Sequence, residues 1–252
     1  MDSIFEINPD LQAGEWPLPI SRSNWKKLWL RKEKKLILFD LDGTLLDTAG
    51  DLGAAANLLR KKNNLSPLPI EKYRPHVSRG ARGMIKAALG ISWKDSEFKK
   101  LKNEFLENYQ KNLLVFTRFM PKIQNLLSSI EKSEITWGIV TNKHHKYAAP
   151  IIKGMNLDKR SSILVCGDTL EFSKPHPAPV SYAIKSLGFD CKETIYVGDD
   201  PRDIQSGFNA GSWTLAISFE KNIERTDLAK WGSDEIAKNS EEMAEIFGIN
   251  LD

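Results

Sequence analysis

Residues 34–48 read KKLILFDLDGTLLDT, and this stretch decides the fold. Leu36 to Phe39 form a continuous apolar run, which is typical of a strand buried on both faces of a parallel sheet. Two acids, Asp40 and Asp42, follow the run. Open α/β sheets bind ligands in the crevice at the carboxyl ends of their strands. The stretch therefore predicts an α/β protein with a site at the end of this strand.

The two carboxylates predict a cation site. Side chains alternate along an extended chain, so Asp40 and Asp42 would point the same way. Two carboxylates held together repel each other unless a cation or a shared proton lies between them. Mg²⁺ prefers hard oxygen ligands and would leave one carboxylate free to attack an electrophile. A simple turn is the alternative for DxDG alone, because Asp and Gly both favour turns.

Length and composition restrict the class of protein. The chain has 252 residues, enough for one substantial core and a smaller second domain. Its net charge of +3 gives no general electrostatic reason to expect nucleic acid as a partner. The two cysteines, Cys166 and Cys191, lack metal-ligand spacing, which favours free thiols in a reducing cytosol. No apolar stretch approaches the roughly 20 residues that cross a bilayer, so we expect a cytoplasmic protein. We also expect it to be a monomer or a homodimer.

The first 33 residues differ from the rest, with three prolines, three tryptophans and a basic cluster. One interpretation is a basic amphipathic helix that binds a membrane surface or a partner. The favoured interpretation is an extension that packs Trp25, Leu28 and Trp29 on the domain and leaves its basic face in solvent. A third interpretation is that translation is assigned to begin upstream of the true start.

A helical insertion follows the first motif. Asp51 is predicted to cap a helix that runs to about Lys62, and helical patterns recur at 80–89 and 95–113. About 65 residues therefore lack a strand pattern, and we expect them to fold as a cap over the crevice. The predicted divisions are an extension at 1–33, a core at 34–50 and 118–252, and a cap at 51–117.

The cap carries two candidate substrate-binding residues. The segment HVSRGARG, residues 76–83, presents Arg79 and Arg82 beside two glycines. Arginines in such a loop suit the carboxylate or phosphate of a small anionic substrate. A solvated helix start is the alternative interpretation.

Two further segments carry polar groups near predicted strand ends. The strand at 135–140 ends in Thr141 and Asn142, where a phosphate could receive hydrogen bonds. Lys174 lies in a proline-rich loop, and a lysine held between rigid turns can act as a fixed cation beside a phosphoryl group.

A second acidic segment completes the predicted cation site. In ETIYVGDDPRD the strand 194–197 is followed by Asp199, Asp200 and Asp203, which would add oxygen ligands. Asp203 begins a helix, so its role is divided between helix cap and outer ligand. Whether Asp200 or Asp203 supports the metal stays open. Ser240 is predicted to cap the closing helix.

Together these segments resemble a known family. DLDGT, Thr141-Asn142, Lys174-Pro175 and GDDPRD, in this order and with a helical insertion after the first, resemble the haloacid dehalogenase (HAD) superfamily over residues 36 to about 248. Within it the chain is similar to the phosphoglycolate phosphatase-like branch. The resemblance implies a three-layer Rossmann-like core with a parallel sheet and a small all-helical cap.

The resemblance also implies a mechanism. Asp40 would be the nucleophile that forms an aspartyl-phosphate, and Asp42 would be the general acid and then the base. Thr141, Asn142 and Lys174 would hold phosphoryl oxygens. The implied ligands of Mg²⁺ are the Asp40 carboxylate, the Asp42 carbonyl and Asp199, supported by Asp203 or Asp200.

The function that the resemblance implies is Mg-dependent hydrolysis of a small phosphorylated metabolite. Phosphoglycolate is the substrate that we expect first. The alternatives are a phosphatase acting on N-acetylmuramic acid 6-phosphate or another sugar phosphate, a β-phosphoglucomutase-like isomerase, and a non-catalytic binding protein. The cap segment VSRGARG, residues 77–83, is similar to that of phosphoglycolate phosphatases and of relatives that act on N-acetylmuramic acid 6-phosphate, and this resemblance favours a phosphatase.

Overall fold

The computed structural model describes Arg22, residues 24–220 and residues 224–251. Most of the predicted extension, including its three prolines and Trp16, lies outside the described residues. Within the described part, no helix is both long enough and apolar enough for a bilayer crossing.

The described residues form eight strands, and six of them build one parallel sheet. In chain order the strands are β1 (Leu36–Phe39), β2 (Leu46–Asp47), β3 (Arg118–Phe119), β4 (Thr136–Val140), β5 (Leu164–Val165), β6 (Thr194–Gly198), β7 (Trp213–Ile217) and β8 (Glu235–Ala237). The order in the sheet is β5-β4-β1-β6-β7-β8, so β1 lies in the interior with fully buried residues. The predicted parallel α/β sheet is confirmed.

Helices cover both faces of the sheet. In chain order the α-helices are α1 (Trp25–Leu30), α2 (Ala49–Lys62), α3 (Gly80–Leu89), α4 (Phe98–Lys111), α5 (Ile123–Lys132), α6 (His145–Gly154), α7 (Ala178–Ser186), α8 (Pro201–Asn209), α9 (Arg225–Ala229) and α10 (Ser240–Phe247). Ile37 and Phe39 face a core shared with α1, α5 and α10, whereas Leu36 and Leu38 face a core shared with α7. This alternation along β1 produces the three-layer arrangement.

A short antiparallel pair connects the core to the cap. Strands β2 and β3 pair through Leu46 with Phe119 and Asp47 with Arg118. The chain between them forms α2, two 3₁₀ helices and the packed helices α3 and α4. The helical cap is thus confirmed, whereas its exact boundaries stay a prediction. Strands β2 and β3 were not predicted, because a strand of two residues is too short to show a hydrophobic period.

The predicted capping role of Asp51 is wrong. Helix α2 already begins at Ala49. The Asp51 carboxylate, 1% exposed, instead accepts hydrogen bonds from the main-chain N–H of Phe116 at 2.8 Å and of Thr117 at 2.9 Å. The Thr117 hydroxyl donates to it at 2.6 Å. Asp51 therefore joins the two ends of the cap insertion.

The described part of the extension packs on the core, as the favoured interpretation predicted. Trp25 and Trp29 of α1 are buried, and the Trp29 ring lies 6.2 Å from that of Phe247. Leu28 was expected to pack as well, but it is 52% exposed because it lies on the outer side of the helix. Before α1, Arg22 forms an ion pair with Asp234 at 2.6 Å.

Ser240 does not cap the last helix. The side chain of Asn239 accepts the hydrogen bond from Glu242 N at 2.8 Å. The Ser240 hydroxyl instead donates to the main-chain carbonyl of Pro121 at 2.6 Å. The cap lies one residue earlier because the chain is still extended at Asn239.

Candidate active site

Three carboxylates from separate parts of the chain meet at the carboxyl edge of the sheet. Asp40 follows β1, Asp199 follows β6, and Asp203 lies in the first turn of α8. One oxygen atom of each can be chosen so that all three lie within 4.8 Å of one another. Asp40 is 8% exposed and Asp203 is 1% exposed. The cluster is therefore a place where a cation could be held.

Lys174 is the positive charge of this cluster. Its Nζ atom lies 2.8 Å from Asp40 Oδ1 and 2.6 Å from Asp203 Oδ1. The same atom donates hydrogen bonds to the Val140 carbonyl at 3.0 Å and to the Tyr196 hydroxyl at 2.8 Å. Although burial favours the neutral amine, the two carboxylates raise the pKa of Lys174. Lys174 is thus an oriented, buried cation.

Burial makes the cluster electrostatically unfavourable without a further positive charge. Burial first, and then the charges of Asp40 and Asp203, raise the pKa of Asp199 well above its ordinary value. Burial is also the main cause that raises the pKa of Asp203 to about 7, against the lowering effect of Lys174. Carboxylates crowded in this way bind a hard divalent cation or hold protons.

Two glycines make room for the carboxylates. A Cβ atom on Gly43 would lie 2.1 Å from Asp199 Oδ2, and the residue has a φ of +83°. A Cβ atom on Gly198 would lie 2.3 Å from the Asp203 carboxyl group. Only glycine allows such a close approach, which explains why both positions flank the acidic motifs.

Asp200 pairs with Arg202 at the start of helix α8. It is the N-cap of α8 and accepts hydrogen bonds from the main chain and the side chain of Arg202. Burial opposes ionisation, but Arg202 lowers the pKa of Asp200. Asp203 accepts a hydrogen bond from Asp200 N at 3.1 Å and also faces the cluster. Geometry therefore places Asp203, and not Asp200, in the carboxylate cluster, whereas which of the two supports a metal stays a prediction.

Asp42 has partners of its own, separate from those of the carboxylate cluster. Lys143 Nζ lies 2.9 Å from both of its carboxylate oxygens, and the Thr48 hydroxyl donates to Oδ1 at 2.5 Å. Strand β1 ends at Phe39, before both acids, and the expected common direction of Asp40 and Asp42 stays a prediction. The contacts of Thr48 and Lys143 with Asp42 were not predicted, although Lys143 directly follows the Thr141-Asn142 pair.

Thr141 and Asn142 lie between β4 and the Lys174 loop. Thr141 is 3% exposed, and its hydroxyl accepts a hydrogen bond from Lys143 N at 3.2 Å. The Asn142 side chain donates to the Lys174 carbonyl at 2.7 Å and accepts from Lys174 N at 2.9 Å. The Asn142 amide thus positions Lys174, and its predicted contact with phosphate stays untested.

The two cap arginines have different surroundings. Arg79 is exposed, and the residue before it, Ser78, accepts a hydrogen bond from Arg202 of the core at 2.6 Å. Arg82 is also exposed, and its guanidinium lies 4.9 Å from the centre of the Trp93 ring. Arg79 therefore lies beside a cap-to-core contact, whereas Arg82 stacks on a residue of the cap itself.

A cavity of about 740 Å³ lies between the cap and the core near β2 and β3. Glu71 and Arg74 of the cap and Phe219 and Glu220 of the core line it. None of the site residues expected from the sequence lines this cavity, so it is separate from the carboxylate cluster.

Comparisons with known proteins agree with this geometry. Residues 37–217 match the haloacid dehalogenase-like hydrolase family. The chain is 40% identical to the N-acetylmuramic acid 6-phosphate phosphatase of Pseudomonas aeruginosa over 86% of this chain and 96% of the relative. It is 32% identical to the phosphoglycolate phosphatase of Xanthomonas campestris pv. campestris, over 84% and 95%. The crystal structure of a predicted phosphoglycolate phosphatase from Haemophilus somnus 129pt superposes with a TM-score of 0.73 at 28% identity, over 86% and 99%. The resemblance drawn from the motifs is confirmed: the chain belongs to the haloacid dehalogenase-like hydrolase family.

Proposed function

We propose that this protein is a Mg-dependent phosphatase that hydrolyses the phosphomonoester of a small metabolite through an aspartyl-phosphate. One observation carries the proposal: the carboxylate of Asp40 lies beside the buried ammonium of Lys174 within a cluster completed by Asp199 and Asp203. An anionic nucleophile can approach an anionic phosphate only where positive charge offsets their repulsion.

The residues of the cluster fit Mg²⁺. Three carboxylates, two buried and one half-buried, outnumber the one lysine, and hard oxygen atoms are the ligands that Mg²⁺ prefers. Asp40, Asp199 and Asp203 would hold the ion, together with the main-chain carbonyl of Asp42. When bound, the ion adds positive charge next to the phosphoryl oxygens.

The remaining steps follow from the chain's own side chains. An Asp40 oxygen attacks phosphorus, and the bond from phosphorus to the leaving oxygen breaks. Asp42 gives its proton to that oxygen, which leaves as an alcohol. Asp42 then takes a proton from water, which attacks phosphorus and releases inorganic phosphate and the free Asp40 carboxylate. Lys174 and Thr141 would orient the phosphoryl oxygens throughout.

The relatives restrict the substrate to small phosphorylated metabolites. The relative at 40% identity favours N-acetylmuramic acid 6-phosphate over the phosphoglycolate that we expected first, because the phosphoglycolate phosphatase above is 32% identical. Both substrates combine a phosphomonoester with a carboxylate, which suits a loop that carries arginine.

The test is a phosphate-release assay with purified protein, Mg²⁺ and a panel of phosphorylated metabolites that includes both candidates. Asp40→Asn keeps the shape of the side chain but removes the nucleophile, so activity should fall by at least about 10³-fold while the circular dichroism spectrum is unchanged. Asp158→Asn changes an exposed acid and serves as the matched control.

Retained turnover in Asp40→Asn would exclude the covalent mechanism. Isomerisation of a sugar phosphate without phosphate release would favour the mutase alternative. Absence of turnover with every member of the panel, together with binding of one of them, would favour a binding protein.

A further inference from the structure

A tyrosine of the cap lies next to the lysine that holds Asp42. Tyr109 belongs to α4, whereas Lys143 belongs to the core loop after β4. The Lys143 Nζ atom lies 5.0 Å from the centre of the Tyr109 ring, and its side chain is 7% exposed. The same atom contacts both carboxylate oxygens of Asp42 at 2.9 Å. One ammonium therefore contacts Asp42 and the cap together.

Tyr109 is held rigidly in this place. It is 2% exposed, its ring stacks on Phe105 of the same helix at 6.4 Å, and it lies 5.7 Å from the ring of Tyr147 in α6. Burial is the main cause that raises the pKa of Tyr109 to about 12, so the phenol is neutral. Its hydroxyl makes no well-formed hydrogen bond within the described part of the chain. Lys143 is close enough to lower the pKa of the phenol, and its ammonium lies over the ring, so the aromatic face is a surface that Lys143 meets.

Lys143 needs such a contact to stay in one orientation. Lysine has a flexible four-carbon stem and three equivalent donors, so one carboxylate does not fix it. A buried ammonium is attracted to the face of an aromatic ring. With the ring on one side and the carboxylate on the other, Lys143 and the Thr48 hydroxyl restrict Asp42 to one position.

We propose that Tyr109 is a positioning residue, which holds Lys143 and through it the carboxyl group of Asp42 that donates the proton, so that the cap contributes to the chemical step as well as to binding. The inference rests on the proposed function, since it takes Asp42 as the general acid. Lys143 is a second positioning residue in the same chain of contacts.

The experiment compares two aryl phosphates of similar shape. p-Nitrophenolate leaves without help, whereas phenolate is a poor leaving group that needs a proton from the general acid. The readout is the ratio of kcat/KM for phenyl phosphate to kcat/KM for p-nitrophenyl phosphate. A change that only loosens the cap lowers both values together, whereas a displaced general acid lowers the ratio.

The variants separate positioning from packing. General acid catalysis contributes about 10²–10⁴-fold, so Lys143→Met should lower the ratio by roughly 10²-fold and Tyr109→Leu by roughly tenfold. Tyr109→Phe keeps the ring and should stay within about twofold of the unaltered protein. Phe98→Leu is the matched control, because it removes a buried aromatic ring from the same helix about three turns before Tyr109.

Two results would overturn the inference. One is an unchanged ratio in Tyr109→Leu. The other is a ratio that falls equally in Tyr109→Leu and in either Phe98→Leu or Tyr109→Phe. Asp40→Asn separates these failures from failure of the proposed function, because retained activity in Asp40→Asn removes the mechanism whatever the ratios show.

Discussion

Asp203 Oδ1 lies 2.6 Å from the Nζ atom of Lys174, and both side chains are 2% exposed. The same ammonium also contacts Asp40, and Asp199 belongs to the same cluster. A single buried cation thus contacts two buried carboxylates, and the carboxylate of the half-buried Asp199 adds a third negative charge to the cluster. Since unpaired charge in a protein interior is costly, the ionised cluster should destabilise the fold until a divalent cation binds.

This imbalance predicts how stability depends on pH and Mg²⁺. The pKa of Asp203 is raised to about 7 in the folded protein, above its value of about 3.9 in an unfolded chain. A raised carboxyl pKa contributes stability that is fully present below about pH 4 and lost as pH rises through about 7. In EDTA the Tm should therefore fall between pH 5 and pH 8.

Mg²⁺ should reverse that loss most strongly at pH 8. A cation at about 100 times its Kd adds about 2.7 kcal/mol, which corresponds to roughly 5–10 °C for a chain of this size. Thermal unfolding followed by circular dichroism at pH 5 and pH 8 measures the effect. Asp203→Asn is the control, and it should flatten the pH dependence and reduce the Mg²⁺ shift. An equal shift at both pH values would contradict the argument.

The sequence could predict those parts of the site that depend on local patterns. Asp40 and Asp199 each follow a buried apolar strand, so topology alone brings them together at one edge. The partners of Asp42 could not be predicted in this way. Thr48 reaches Asp42 because the chain turns at Gly43, and Lys143 arrives from a strand about a hundred residues later.

The fold was predictable for the same reason. Long apolar or periodic segments gave the sheet and the cap helices, whereas β2 and β3 are too short to show a period. The separate roles of Asp200 and Asp203 could not be predicted, because they depend on the residue at which α8 begins. Pro201 is the first helical residue, so Asp200 is the N-cap and Asp203, in the first turn, faces the cluster.

Helix α1 is expected to stabilise the whole core. Trp29 is fully buried against Phe247, and its indole N–H donates to the Glu193 carbonyl at 3.1 Å. Trp29→Ala should lower the free energy of unfolding by about 3–5 kcal/mol, since it opens a large cavity and leaves a carbonyl without its donor. Leu28→Ala, on the exposed side of α1, should change it by less than about 0.5 kcal/mol. Urea unfolding measures both, and similar losses would show that α1 does not pack as described.

The junction between cap and core is expected to depend on Asp51. Its two oxygens accept three hydrogen bonds from Phe116 and Thr117 in a buried place. Asp51→Asn replaces one acceptor by an NH₂ group that faces donors, so the loss should be about 2–4 kcal/mol. Asp95→Asn in the exposed part of the cap should cost less than about 1 kcal/mol, because water replaces the single bond to Ser92 N. Urea unfolding of both variants is the measurement, and equal small losses would mean that the junction tolerates free donors.

Arg79 is the cap residue that we expect to recognise the substrate. It follows Ser78, whose carbonyl accepts a hydrogen bond from Arg202, and Arg202 in turn pairs with Asp200 beside the carboxylate cluster. Arg79→Ala should raise KM for N-acetylmuramic acid 6-phosphate about tenfold, the loss of one charge-assisted hydrogen bond of about 1.4 kcal/mol.

The KM for p-nitrophenyl phosphate, which has no carboxylate, is the internal comparison and should change by less than about twofold. Arg82→Ala is the matched variant. Because Arg82 stacks on Trp93, its replacement should affect the substrate less than that of Arg79. A larger rise in KM for Arg82→Ala than for Arg79→Ala would reverse the order of the two arginines, and it would mean that the cap turns its Trp93 side toward the substrate.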